Sequence, residues 1–341
     1  MTSLAIRLGL LATALLLLAC EPETKPETTA QPATTEQTPN DAMAATTTHL
    51  WSLAAVKATQ ALDAAKTLEQ AINDLVAEPQ DTQLETARQQ WHAAHDKLLA
   101  LSAYFALGEV NPGLFRQLSD SHFLLDAHPI EPGYLDYFDV YQHSGIVNDI
   151  VLPLNADTIR RQHGMTSDTD VVLGLHAIAY LLWGENQQRP VSDFQPGALT
   201  EAQRRDGLKI IDLPQQRRAT LLKLITALYL DDLTNLQYKL THSASGLSNS
   251  YHSLTPAAHI QLWKQVLGRL KDQIESESTA TELRTRYSGQ PERSEESLRL
   301  AISQLLFSAG QSKPLVAWLF PDGQPNSEKP VTELLAELPV K

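Results

Sequence analysis

The chain has 341 residues, one cysteine, and 40 acidic against 27 basic side chains, a formal net charge of −13. A single cysteine leaves no disulfide framework and no cysteine-based metal centre, and the acidic balance disfavours nucleic acid and anionic surfaces as partners. No glycine-rich phosphate loop, Gly-x-Ser-x-Gly elbow or His-Glu-x-x-His run occurs.

Arg7 supplies a positive n-region, and residues 8–19 are apolar or small apart from Thr13. That run is too short to span a bilayer but suits a secretory h-region. It ends Leu17-Leu18-Ala19-Cys20, which reads as a lipobox: residues 1–19 are expected to be a signal peptide, with Cys20 the acceptor of lipid. Glu21, rather than Asp, follows the cysteine, which by resemblance to lipoprotein sorting rules favours the outer membrane, facing the periplasm. The expectation is a cell-envelope protein whose membrane partner is reached through Cys20. Residues 20–45 then read as a tether, rich in Pro, Glu and Thr, with too little apolar surface to offset its ordering entropy.

From residue 46 to about 335 the hydrophobic period is helical. Leu50, Leu53, Ala61, Ala65, Leu68, Ile72 and Leu75 mark a first helix ending before Pro79. Thr82-Gln83-Leu84-Glu85 has the form of a capping box for a second, with Leu84, Ala87, Trp91, Ala94 and Leu98 inward. Residues 108–169 are irregular and rich in Pro, Gly, His and Asp, interrupted by short helices such as 114–125. Residues 174–184 read as a buried apolar helix carrying one imidazole, His176. Pro214 opens a long helix with Leu221, Leu222, Ile225, Leu228, Leu233, Leu236 and Leu240 inward. Thr255-Pro256 is an N-cap followed by proline at the first helical position, and Ile260, Trp263, Leu267, Leu270 and Ile274 form the stripe behind it. A last helix covers 297–306 and breaks before Gly310. No alternating strand pattern stands out, so the fold class is all-α: two antiparallel bundles, about 46–165 and 166–335, with a long irregular connection.

The chemistry-bearing residues are few. His176 is a candidate metal ligand; a lone histidine on an apolar helix also serves as a hydrogen-bonded core residue. A carboxylate three residues on would share its face, but that position is Ala179. Tyr180, four residues on, offers only a phenol oxygen. Glu131 and Asp136 are the loop carboxylates able to complete a site, or else ordinary turn and N-cap residues. His122, His128, His143 and His163 gather in and around the loop, either for a metal or as a His-rich surface. Trp91 and Trp183 read as core anchors, and Arg88 as the partner of a buried carboxylate such as Glu131.

Four stretches carry a resemblance. Gly174-Leu175-His176-Ala177-Ile178-Ala179 followed by Leu181-Leu182-Trp183-Gly184 resembles the Gly-x-His-x-x-Glu…Leu-Leu-Trp-Gly hallmark of the imelysin family, with Ala179 in the glutamate's place. His128-Pro129-Ile130-Glu131-Pro132-Gly133-Tyr134-Leu135-Asp136 resembles its Trp-Pro-Leu-Asp-x-Gly-x-Ile-Asp segment. Arg88 and Trp91 match its Ala-Arg-x-x-Trp, with His95 where a second arginine is common. Gln216-Arg217-Arg218 and Asp232-Leu233 match its long helix, and Arg286-Tyr287-Ser288 echoes its Arg-Phe-Ser. The resemblance implies two four-helix bundles with a pocket near the His176 helix, a class of metallopeptidases, and relatives in periplasmic iron acquisition. Hydrolysis at a metal needs about three protein ligands, an open position and a base, and this helix supplies one ligand. The function expected is therefore a binding protein for a divalent or ferric ion or its chelate. The alternatives are an imelysin-type metallopeptidase and a non-catalytic scaffold for an envelope protein.

Overall fold

Thr38 caps the first helix of the computed structural model, which describes residues 38–138, 140–279, 291–310, 312–323, 325 and 327–338. Cys20 with its lipobox, the tether as far as residue 37, and Arg286-Tyr287-Ser288 lie outside the described residues. Helix α1 runs Pro39–Ala77: the Thr38 side chain accepts the Asp41 N–H, Pro39 occupies the first turn, and Asp41 faces the positive helix end. Residues 39–45, read from composition as the end of the tether, are thus helical. Met43, Thr46 and Thr47 are buried there, and the Thr46 hydroxyl donates to the Lys313 carbonyl.

Helix α2 is Asp81–Leu99, and its N-cap is Gln80, without a side-chain cap. The capping box expected at Thr82 does not form, because the helix starts earlier and encloses Thr82 in its first turn, where its hydroxyl donates to Gln83. Helices α3 (Ser102–Val110) and α4 (Pro112–Asp126) form a tight hairpin. A Cβ on Gly108 would stand 2.4 Å from the Ser119 nitrogen, so only glycine admits that crossing. Short α5 (Pro132–Leu135) and α6 (Ala156–Gln162) punctuate the irregular stretch. Its carbonyls need partners, and the buried Arg217 supplies several, donating to Ile146, Val147, Asp149 and Leu152.

Helix α7 (Gly174–Trp183) is followed by α8 (Glu201–Arg205), α9 (Pro214–Thr241), α10 (Leu247–His252) and α11 (Pro256–Thr279). The chain closes with α12 (Pro291–Phe307), α13 (Val316–Leu319) and α14 (Val331–Ala336). Pro214 and Pro256 open their helices as expected, and the Thr255 hydroxyl accepts the Ala258 N–H. Among the described residues there is no strand, only an isolated bridge between Phe138 and Tyr141. None of the described helices is long and apolar enough to cross a membrane.

Every residue of α7 is buried. A helix apolar all round must sit inside the protein rather than at its surface, and α7 packs against α2, α4 and α9 at once. Helix α1 covers α2 and α9, while α11 lies on α3. This surrounding of α7 is what positions the site.

Candidate metal centre

The α7 helix enters through Gly174, whose φ is +82° and whose Cβ, if present, would lie 2.6 Å from the Leu125 carbonyl oxygen. Both constraints require glycine, and together they seat the start of α7 on the end of α4, where Asp126 follows Leu125. His176 then faces Asp126, with Nε2 3.3 Å from Oδ1. From the other side α2 brings His95, with Nε2 3.5 Å from the same oxygen. Trp91, one turn before His95, donates from Nε1 to the Leu175 carbonyl at 2.7 Å and stacks on the His95 ring at 4.8 Å. That contact fixes the spacing of α2 from α7.

His95, Asp126 and His176 each present one ligand atom, and these atoms lie within 4.8 Å of one another. All three residues are buried, at 5, 4 and 8 % exposure. Asp126 Oδ1 nevertheless has no well-aligned hydrogen bond, its two imidazole neighbours standing at 3.3 and 3.5 Å. Burial opposes the charge of Asp126, but the two imidazoles outweigh it and hold the carboxyl well below the usual carboxylate range. An ionised, under-satisfied oxygen between two imidazoles is a set that fits a metal ion. Imidazole and carboxylate suit zinc, iron and neighbouring first-row metals.

The loop histidines divide. His122 stacks on Phe105 at 4.7 Å, with Nε2 3.9 Å from Asp126 Oδ2 and Nδ1 3.6 Å from Glu109. Its side chain, with Arg269 and against the effect of burial, lowers the Glu109 carboxyl. His128 donates from Nδ1 to the Asp126 carbonyl at 2.9 Å, and its ring lies 4.9 Å from that of His176. Both therefore border the centre. His163 is a latch instead: Nε2 donates to the Phe123 carbonyl, and Nδ1 accepts from the Val172 and Leu173 amides. Burial lowers its pKa and keeps the ring neutral, which that pattern needs. His143 is exposed and lines a surface groove with Tyr134, Ile146 and Gln162.

The two loop carboxylates do not join the centre. Asp136 is fully buried in an ion pair, accepting from Arg218 Nε at 2.6 Å and Nη2 at 3.0 Å, with Arg189 Nη2 at 2.9 Å. Two guanidiniums neutralise it, and no metal is needed there. Glu131 is exposed, and its backbone N–H donates to Thr169. Nor does Arg88 pair with Glu131; it donates to the Leu182 carbonyl at 3.0 Å and to the Arg189 carbonyl at 3.0 Å. It thereby satisfies carbonyls at the open end of α7. Its guanidinium stands 5.8 Å from the centre of the Trp183 ring. Gly184, with φ +65°, ends α7 and brings Arg189 beneath it. Pro129 is exposed, and Gly133 is met only by Ser144 at 3.9 Å, so no steric need for glycine shows there. Tyr180 donates to the Tyr137 carbonyl at 2.8 Å, and Ala179 is wholly buried.

His95 and Asp126 are the ligand candidates that sequence reasoning did not select. The signal for Asp126 was its place as the last residue of α4, where the helix dipole disfavours an anion. The signal for His95 was its position four residues after Trp91 on the inward stripe.

A family model described as imelysin, a peptidase family, matches residues 54–305. No curated protein matches the chain. The matched span contains α2, α4, α7 and α9, the helices that build and enclose the centre. The chain belongs to the imelysin family.

Proposed function

We propose that this protein is a metal-binding protein of the cell envelope, tethered by lipid on Cys20, with His95, Asp126 and His176 as its ligands. The observation that carries the reading is Asp126 Oδ1, buried between two imidazole nitrogens at 3.3 and 3.5 Å with no well-aligned hydrogen bond to either. Such an oxygen costs stability unless a cation or donor meets it. The family's glutamate is replaced by Ala179, and Asp126 from α4 stands in as the carboxylate nearest His176. The loop carboxylates Glu131 and Asp136 are not needed.

Three ligands meet the first requirement of a hydrolytic metal site, which a single helix did not. Burial of all three argues against the peptidase reading, since a polypeptide must reach the ion with a water beside it. A bound ion would supply charge to fix the three helices together, and release would require them to part. This is the behaviour of a carrier or sensor in metal handling.

Calorimetric titration of the purified protein with zinc and with iron tests the centre. One equivalent is expected to bind, with His95→Ala, Asp126→Asn and His176→Ala each weakening it at least tenfold, roughly the effect of disturbing a metal's supporting shell. Unchanged affinity in all three variants sinks the assignment. Chelator-sensitive cleavage of unfolded polypeptides, lost in His176→Ala, would restore the peptidase. Fatty-acid labelling that survives Cys20→Ala would remove the anchor.

A further inference from the structure

A buried centre needs a way in, because an ion that sheds its water must meet ligands at each step. Side chains of α3, α4 and α11 supply such a line. His122 on α4 turns one ring nitrogen to each of two carboxylates: Nε2 lies 3.9 Å from Asp126 Oδ2, and Nδ1 lies 3.6 Å from Glu109 Oε1. Both separations are too long for a hydrogen bond. They are near the spacing of two ligands across one ion, roughly 3.3 Å for tetrahedral bonds of about 2 Å. The His122 ring is held flat on Phe105, with the two planes 11° apart. Beyond it, Arg269 of α11 donates from Nε to Glu109 Oε2 at 2.5 Å. Side-chain exposure falls along this line, from 46 % at Arg269 and 28 % at Glu109 to 24 % at His122 and 5 % at Asp126. His128 also borders the centre, but its Nδ1 is engaged by the Asp126 carbonyl.

We propose that Glu109 and His122 form an outer cation site, the entrance to the His95–Asp126–His176 centre, with Arg269 as its gate; this rests on the metal-binding reading above. A divalent cation reaching this face replaces the Arg269 guanidinium on Glu109, one cation for another. It is held first between Glu109 and His122 Nδ1, then between His122 Nε2 and Asp126 Oδ2. Asp126 Oδ1 faces both inner imidazoles and completes the transfer. Imidazole and carboxylate alternate along the whole line, so the ion meets the same ligand types at every stage. Only ligands are exchanged, and no oxidation state changes. Release runs the same line outward, and it begins with the Arg269–Glu109 pair opening before the ligand helices part.

The test is kinetic and uses the full chain with zinc chloride as the probe. Trp91 stacks on His95, so its fluorescence in stopped flow follows arrival at the centre, and an excess of a chromogenic chelator follows release. Glu109→Gln keeps the shape of the side chain and removes its charge. It should slow arrival and release alike, on the order of tenfold. Calorimetric affinity should not change, because a site passed on the way alters the barrier and not its two ends. His122→Phe, which keeps an aromatic ring on Phe105, should do the same, whereas Arg269→Ala should speed both steps. Asp120→Asn removes an equal charge from the exposed face of α4 and should change neither. Wild-type rates in Glu109→Gln and His122→Phe, or slowing no greater than in Asp120→Asn, overturn the entrance. Weaker affinity with unchanged arrival overturns it as well, since the pair would then belong to the centre. If wild type still binds zinc and His95→Ala and His176→Ala do not, either result leaves the centre standing. A wild type that binds no zinc removes centre and entrance together.

Discussion

At Gly174 a left-handed backbone and a close interhelical approach fall on one residue. Alanine there must adopt φ +82° and push its Cβ against the Leu125 carbonyl, 2.6 Å away. Strain of this kind costs roughly 1–3 kcal/mol, and the clash adds to it. Relief requires α7 to back away from α4, which carries His176 away from Asp126. Gly174→Ala is therefore expected to lower stability in urea unfolding by about that amount and to weaken metal binding in the same protein. A variant as stable as wild type, with unchanged metal affinity, would show that the approach of α7 to α4 does not set the ligand distance.

Helix α7 is held from three sides by groups that address its backbone rather than its side chains. Trp91 donates to Leu175 near its start, His163 accepts the Val172 and Leu173 amides just before it, and Arg88 gathers Leu182 and Arg189 at its end. Arg88→Ala strips charge-assisted hydrogen bonds from buried carbonyls, worth roughly 1.5–3 kcal/mol for one such bond and less when water enters. Thermal melting should fall accordingly. Arg88→Lys should recover only part of the loss, since an ammonium cannot fork between two carbonyls. Full recovery by lysine would mean that charge alone, without the fork, holds the end of α7.

Across the whole molecule, buried imidazoles make the fold sensitive to acid. His259 is 3 % exposed, its Nδ1 has no partner, and burial, with His252 nearby, pushes its pKa down to about 4. The unfolded chain titrates near the ordinary histidine value of about 6.5, so between those values it binds more protons than the folded one. Stability is whole above that window and falls as the pH drops through it, by on the order of 3 kcal/mol from this residue. His163, also lowered by burial, acts in the same direction. Denaturation at pH 7 and at pH 4.5 should show a smaller acid loss in His259→Gln than in wild type. Equal losses would assign the acid sensitivity to other groups.

The helical fold was legible in the sequence because its signals are local. Apolar residues recurring at helical spacing, Pro214 and Thr255-Pro256 at helix starts, and the wholly apolar α7 each depend on near neighbours along the chain. His176 was legible too, as a lone imidazole in an apolar helix. Its partners were not. Spacing along one helix reveals only residues three or four apart, and at that distance from His176 the chain offers Ala179 and Tyr180. Asp126 and His95 reach it from two other helices, through the seat at Gly174 and the stack on Trp91. Asp136 and Asp126 are the same residue type in the same region of sequence, yet tertiary structure gives them opposite surroundings. Two arginines that close on Asp136 leave it neutralised, whereas two imidazoles approach one oxygen of Asp126 without a well-aligned hydrogen bond. Which carboxylate is left able to answer a metal is decided by the charges that folding brings beside it, and those come from residues remote in the chain.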